Sequence, residues 1–206
     1  MIFSVIDVET TGLSSRGGDR IVEIGVARLT GDGEVIDAFD TLVNPGGPVR
    51  ATHVHGITDA MVADAPRFPD IAERLCAVLD GTVLAAHNAG FDMGFLKEEF
   101  RRTGSAFPSS GSVCTLILAR RYLKELPSKS LESCRKYLGI DGTGAHNALA
   151  DARAAAVVLR HFIEVHDFAA RTPSFVSPRG AADAQRGLFD EPLKPLKPRL
   201  PEGARL

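Results

Sequence analysis

Cysteine, long apolar runs and an excess of basic residues are all scarce or missing in this 206-residue sequence. Three widely spaced cysteines fit neither a disulfide framework nor a Cys-x-x-Cys zinc motif, so we expect free thiols at Cys76, Cys114 and Cys134. The apolar runs are far shorter than the roughly 18 residues of a membrane-spanning helix, and the first residues lack the pattern of a secretory signal. We therefore expect a cytoplasmic protein with no membrane partner.

The charge balance excludes one kind of nucleic-acid-binding protein but not another. The chain has 24 basic and 26 acidic residues, a net charge of -2, whereas a module that binds nucleic acid through bulk positive charge has a strong basic excess. A nuclease that holds phosphate through metal ions needs acidic ligands, and these offset its basic residues. The composition therefore leaves a metal-dependent nuclease open.

The composition changes near residue 167. Residues 168–206 contain six of the twelve prolines, seven basic and four acidic residues, and little periodicity. This pattern predicts one globular domain over 1–167 and a disordered, mildly basic tail over 168–206.

Within the domain, strand patterns come first and helical patterns follow. Residues rich in Val and Ile predict strands at 3–7, 21–29 and 35–43, the last two joined by a hairpin turn at 31–33. A loop is predicted from Asn44 onward. A short strand is predicted at 82–86, and helices at 68–79, 91–102, 113–122, 131–138 and 147–166. This order predicts an α/β fold, a mixed sheet flanked by helices.

Two acidic residues end the first predicted strand. Strand alternation places Asp7 and Glu9 on one face, where like charges raise each other's pKa unless a cation intervenes. A divalent metal ion is the simplest such cation, and a solvent-exposed pair is the alternative. Thr10, Thr11 and Gly12 follow directly, and such small residues allow the backbone to approach a substrate closely.

A third acidic residue, Asp151, lies on the face of the last predicted helix that should pack on the sheet. It shares that face with Ala154, Val158 and Phe162. An unpaired carboxylate there is costly, so Asp151 needs a cation, a metal ion or a capping role. His146 falls in the preceding loop, either as a proton-exchanging group near pH 7 or as an ordinary surface histidine.

Asp92 is the fourth acidic residue of interest. It stands at the predicted start of a helix, where an aspartate can act as the N-cap. That interpretation explains Asp92 alone, but not the His-Asn-Ala-Gly-Phe turn over 87–91 before it.

Three segments, in this order, resemble the motifs of the DEDD exonuclease superfamily. They are Asp-Val-Glu-Thr-Thr-Gly-Leu at 7–13, His-Asn-Ala-Gly-Phe-Asp at 87–92 and His-Asn-Ala-Leu-Ala-Asp at 146–151. The histidine five residues before the last acid is similar to the histidine-bearing branch, which includes the epsilon proofreading subunit of bacterial DNA polymerase III, ribonuclease T and oligoribonuclease. The resemblance covers about residues 3–165 and implies a ribonuclease-H-like fold. Cys114 departs from it, since many relatives have an acid there.

The resemblance implies a two-metal hydrolysis that releases nucleoside 5′-monophosphates from a 3′ end. Asp7, Glu9 and Asp151 would hold one Mg²⁺ or Mn²⁺, Asp7 would bridge to a second, and Asp92 would support the second through water. His146 would accept the proton of the attacking water.

By the same resemblance, the terminal nucleotide would contact Thr10, Thr11, Leu13, His55 and Ile57. Leu13 and Ile57 would lie against the base, and apolar contacts of this kind tolerate any base.

Three functions remain open from the sequence. The first is a 3′-5′ exonuclease on single-stranded or frayed DNA, acting as a proofreading partner of a DNA polymerase catalytic subunit. The second is an RNA-trimming exoribonuclease, because metal-centred cleavage neither requires nor forbids a 2′-hydroxyl. The third is a non-catalytic adaptor. Within the tail, Gln185, Leu188 and Phe189 resemble the bacterial peptide that binds the sliding clamp.

Overall fold

The computed structural model describes residues 1–108, 112–140 and 146–166. The strands within these ranges are β1 (Ile2–Thr10), β2 (Ile21–Thr30), β3 (Val35–Leu42), β4 (Val83–Ala86) and β5 (Ser112–Cys114). The helices are α1 (Thr52–His55), α2 (Asp59–Val62), α3 (Phe68–Leu79), α4 (Ala89–Thr103), α5 (Thr115–Tyr122), α6 (Leu131–Leu138) and α7 (Ala148–His166). The predicted tail, with Gln185, Leu188 and Phe189, lies outside the described residues.

The five strands form one mixed sheet in the order β3-β2-β1-β4-β5. The first three strands pair antiparallel, and β4 and β5 join parallel to β1 and β4. The α/β sheet predicted from the sequence is confirmed, and β1 lies at its centre.

Helices cover both faces of the sheet, and the alternation along β1 sorts its side chains between them. Ile6 and Val8 pack in the core on the side of α3 and α4. Phe3 and Val5 pack on the opposite side, in the core that contains Phe162 of α7. Since Asp7 and Glu9 continue the odd-numbered series, the pleat directs them toward α7.

Two stretches differ from the predicted elements. The predicted helix 113–122 is divided, because Ser112–Cys114 pairs with β4 as a short edge strand before α5 begins. The loop predicted after Asn44 contains the single-turn helices α1 and α2, which are too short for a helical period to be visible in sequence. The predicted helices at 68–79 and 131–138 are confirmed.

The cysteines carry no disulfide, and Cys134 is buried while Cys76 and Cys114 are half-buried. Among the described helices, none combines the length and apolar character needed to cross a membrane.

Candidate active site

Three of the predicted carboxylates meet at the C-terminal end of the central strand β1. One oxygen from each of Asp7, Glu9 and Asp151 can be chosen so that all three lie within 4.8 Å of one another. Asp7 and Glu9 project from β1, and Asp151 lies in the first turn of α7. The strand alternation and the helix face inferred from the sequence therefore do bring these side chains together.

The electrostatics of this cluster favour a bound cation. Burial raises the pKa of Asp7 well above its ordinary value, and the charges of Asp92, Asp151 and Glu9 raise it further. Each extra negative charge makes ionisation of the next carboxylate harder, and a divalent cation removes that penalty.

Asp92, on α4, contacts the backbone of β1 next to this cluster. It is 3% exposed, and its Oδ1 accepts the backbone N–H of Val8 at 3.3 Å. Burial raises the pKa of Asp92 to about 7, an effect that backbone N–H donors partly oppose. The N-cap interpretation of Asp92 is wrong, because α4 begins at Ala89 with Asn88 as its N-cap.

The first turn of α7 is held against β2 by a residue that the sequence reasoning did not single out. Glu23 is 1% exposed, and its carboxylate accepts Asn147 Nδ2 and the Ala148 N–H, both at 3.0 Å. Two residues along β2, a Cβ on Gly25 would overlap the backbone of Ala148 and Leu149. Glycine therefore permits α7 to lie close enough to the sheet for Asp151 to reach the carboxylates of β1.

Asp151 has a cationic partner on α6. Arg135 Nη1 lies 2.9 Å from Asp151 Oδ1, and the His146 N–H donates to Oδ2 at 3.2 Å. Burial raises the pKa of Asp151, while Arg135 opposes that shift. The need for a cationic partner was predictable from the helix face, but its identity was not.

The carboxylate oxygens suit a hard divalent cation. Asp151 Oδ1 is buried, and it faces the Arg135 guanidinium in an ion pair at 2.9 Å. Such an oxygen still has a lone pair for a metal ion, and carboxylate-only clusters are typical of Mg²⁺ and Mn²⁺ sites. The three residues on β1 and α7 therefore fit the predicted metal.

His146 lies in a turn immediately before α7, as the sequence predicted, and is exposed. Its φ of 64° is in the left-handed region, and the other described non-glycine residues with positive φ are Ala51 and Asn88. Those two precede α1 and α4, the helices that carry His55 and Asp92. Unfavourable backbone conformations thus lie beside every helix with a predicted site residue, a distribution typical of functional sites.

The threonines after the acidic pair use their hydroxyls within their own loop. Thr10 Oγ1 donates to the Gly12 carbonyl at 2.6 Å, and Thr11 Oγ1 accepts the Arg20 N–H at 3.0 Å. A Cβ on Gly12 would overlap the Asp19 side chain. The loop is therefore fixed internally, and it leaves Leu13 87% exposed at its tip.

His55 and Ile57 are buried in the structure. The Ile57 N–H donates to His55 Nδ1 at 3.0 Å, and His55 Nε2 lies 3.2 Å from the Arg50 carbonyl. Ile57 is fully buried, in a small cluster with Val22 and Val62. Their contact with a nucleotide stays a prediction. Both residues also stabilise the segment from Arg50 to Ile57 through these hydrogen bonds.

Comparison with known proteins decides the family. The Exonuclease family model matches residues 4–159. The chain belongs to this exonuclease family. The DEDD resemblance and the class of enzyme predicted from the sequence are thereby confirmed, and exonucleases of this type generally use two divalent metal ions.

Two curated relatives are similar to the exonuclease domain. It is 40% identical over 164 residues to the DNA polymerase III PolC-type of Oceanobacillus iheyensis, and 40% identical over 161 residues to the DNA polymerase III subunit epsilon-like protein of Rhodobacter capsulatus. The alignments cover 79% and 76% of this chain, but 11% and 23% of those proteins. This chain thus spans less than a quarter of the length of either relative.

A solved structure confirms the predicted ribonuclease-H-like fold. The nuclease domain of 3′hExo, a DEDDh family member bound to rAMP, superposes with a TM-score of 0.68 at 20% identity. The superposition covers 79% of this chain and 92% of that domain.

Proposed function

We propose that this exonuclease domain removes nucleotides from the 3′ end of single-stranded or frayed DNA, with Mg²⁺ or Mn²⁺ as its metal. The observation that carries the proposal is the convergence of Asp7, Glu9 and Asp151 within 4.8 Å. In sites of this kind, two divalent ions stabilise the attacking and leaving oxygens of an in-line displacement at phosphorus.

Each acidic residue of the site would contribute to binding one or both metal ions. Asp7, Glu9 and Asp151 would bind one ion, Asp7 would contact the second, and Asp92 would support the second through water. The fully buried position of Asp92 suits this supporting role, because its carboxylate is fixed by the Val8 N–H rather than exposed to substrate.

His146 would act as the general base. It would accept a proton from the water whose oxygen attacks phosphorus, while the bond from phosphorus to the 3′ oxygen breaks. The products are a nucleoside 5′-monophosphate and a strand shorter by one nucleotide with a free 3′-hydroxyl. Its position supports this role, because its backbone N–H contacts Asp151 and the residue is exposed to water.

The loop from Thr10 to Leu13 would receive the terminal nucleotide. Its hydroxyls are engaged within the loop, so the loop would present mainly backbone and the Leu13 side chain to the substrate. His55 and Ile57 would also contact this nucleotide, as the resemblance implies. Apolar contact with a base discriminates little between the four bases, as an enzyme that removes any nucleotide requires.

The names of the relatives support DNA as the substrate. Both are described as DNA polymerase III proteins, and 40% identity over most of this domain is a closer relation than the 20% identity to the rAMP-bound nuclease. We therefore favour proofreading with a DNA polymerase catalytic subunit, in the cytoplasm, over trimming of RNA.

The tail supplies a second argument for replication. Gln185, Leu188 and Phe189 would bind the sliding clamp, with the two apolar side chains as anchors, if residues 168–206 form a disordered tail beyond the domain over 1–167. Replacement of Leu188 and Phe189 by Ala should then eliminate clamp binding in calorimetry.

Degradation of matched 5′-labelled DNA and RNA single strands tests the proposed function. With Mg²⁺ or Mn²⁺ the DNA strand should shorten from its 3′ end one nucleotide at a time, and EDTA should stop the reaction. Faster shortening of the RNA strand would instead assign the domain to RNA trimming. No shortening of either strand would refute the exonuclease activity.

A further inference from the structure

Arg135 on α6 is buried, unlike its neighbour Lys136. The Arg135 side chain is 4% exposed, whereas the Lys136 side chain is 77% exposed and forms an ordinary surface pair with Glu132. Arginine is rarely buried without a partner that balances its charge. The partner here is Asp151, one of the three carboxylates of the proposed metal site.

The guanidinium contacts two consecutive residues in the first turn of α7. Nη1 lies 2.9 Å from Asp151 Oδ1, and Nη2 donates to the Ala150 carbonyl at 3.2 Å. A planar guanidinium makes both contacts from one rigid group, and the compact ammonium of lysine does not reproduce that fixed geometry. Arg135 therefore fixes both the backbone and the side chain at the point where α7 reaches the carboxylates of β1.

The charge of Arg135 matters as much as its shape. Asp7, Glu9 and Asp151 bring three carboxylates together, and Asp92 adds a fourth acidic group close by. A fixed cation beside Asp151 offsets part of this charge and holds that carboxylate in one orientation. Removal of a residue that contacts a metal ligand, but not the metal itself, typically lowers metal affinity by 10–100-fold.

We propose that Arg135 is a positioning residue of the metal site, which orients Asp151 for the divalent cation. This inference rests on the proposed metal site. The alternative is a purely structural ion pair, which would stabilise the packing of α6 on α7 but leave metal affinity unaffected.

A second buried pair in the same domain provides the matched control. Arg28 on β2 has a side chain that is 4% exposed, and its Nη1 lies 2.9 Å from Asp37 Oδ2 on β3. This pair equals the pair of Arg135 and Asp151 in distance and arginine burial, but neither member belongs to the proposed metal site.

The experiment measures Mn²⁺ binding to the full chain by electron paramagnetic resonance, which reports free Mn²⁺. The variants are Arg135→Met, Arg135→Lys and the control Arg28→Met. The melting temperature of each is also measured in EDTA. Arg135→Met should weaken Mn²⁺ binding by about 10–100-fold. Arg135→Lys should weaken it less, because an ammonium can still pair with Asp151 but lacks the rigid two-point geometry of the guanidinium. Arg28→Met should lower the melting temperature in EDTA yet keep the wild-type Kd.

The outcomes separate this inference from the proposed function. Wild-type protein that binds no Mn²⁺ would refute the metal site itself. If the wild type binds Mn²⁺ and both Arg135 variants bind it with an unchanged or lower Kd, the metal site is supported. The positioning role of Arg135 is then refuted. Equal weakening in Arg28→Met would also refute it, because general destabilisation would then explain the loss. Arg135→Lys keeps the test decisive if Arg135→Met does not fold.

Discussion

The carboxylate of Glu23 accepts the backbone N–H of Ala148 at 3.0 Å, so a residue of β2 caps the helix that carries Asp151. The first N–H groups of a helix have no partner within the helix, and its N-terminus carries a partial positive charge. The buried carboxylate of Glu23 accepts one of these N–H groups, and its negative charge interacts favourably with the partial positive charge of the helix N-terminus. It also fixes α7 relative to β1, because β1 and β2 are hydrogen-bonded neighbours.

Glu23→Gln should therefore destabilise the domain. The neutral amide loses the charge that favours the helix N-terminus, and its NH2 group cannot accept from Asn147 or Ala148. We expect a loss of about 1–3 kcal/mol in the free energy of unfolding, measured by urea denaturation in EDTA. Glu34→Gln removes an exposed acid outside the site and should change stability by less than about 0.5 kcal/mol. Equal stabilities of the two variants would contradict the capping role.

Leu13 and Ile57, both assigned to base contact by the resemblance, should respond differently to truncation. Leu13 is 87% exposed, so Leu13→Ala should leave the melting temperature unchanged. Its loss of apolar contact with the base, about 1.5–3 kcal/mol, should raise KM for a single strand by about tenfold or more. Kinetics on an oligonucleotide ladder and thermal melting measure the two effects.

Ile57→Ala is the matched comparison for Leu13→Ala. Ile57 is fully buried, and a large-to-small change at such a position costs about 2–5 kcal/mol of stability. A lower melting temperature for Leu13→Ala, or an unchanged KM, would contradict a role for Leu13 in the proposed substrate site.

His87 should make the domain less stable in acid. Burial lowers the pKa of His87 below its ordinary value of 6.5, an effect that its bond to the Lys129 carbonyl partly opposes. The folded state thus binds fewer protons than the unfolded state once the pH falls below about 6.5, so the stability present above that pH is lost on acidification. His87→Gln should reduce the difference in unfolding free energy between pH 7.5 and pH 5.

His53→Gln is the control for this pH dependence, because His53 is exposed on α1. It should keep the wild-type difference between the two pH values. A His87 variant with that same difference would show that His87 does not contribute to acid sensitivity.

The cluster of three carboxylates was largely predictable from the sequence, since it depends on short-range geometry. Strand alternation placed Asp7 and Glu9 on one face, and the apolar face of the last helix placed Asp151 toward the sheet. These rules need only the period of each element.

The residues that hold the cluster in place were not predictable. Arg135 and Lys136 are neighbouring basic residues on one helix, and only the packing of α6 on α7 shows which is buried. Glu23 lies inside an apolar strand, and its role as a cap depends on a helix that begins 125 positions later. The edge strand Ser112–Cys114 also escaped prediction, because three residues carry too little alternation to be seen.

The most direct test of the account is Asp7→Asn, assayed for metal binding and for strand shortening in parallel. Asp7 lies in the carboxylate cluster and is surrounded by other acids, so we expect the variant to fold and to melt at or above the wild-type temperature in EDTA. Mn²⁺ should raise the melting temperature of the wild type but have little effect on the variant. Shortening of a 5′-labelled DNA strand should fall by more than about a thousandfold. A folded variant with activity within tenfold of the wild type would contradict the assignment of this cluster as the catalytic metal site.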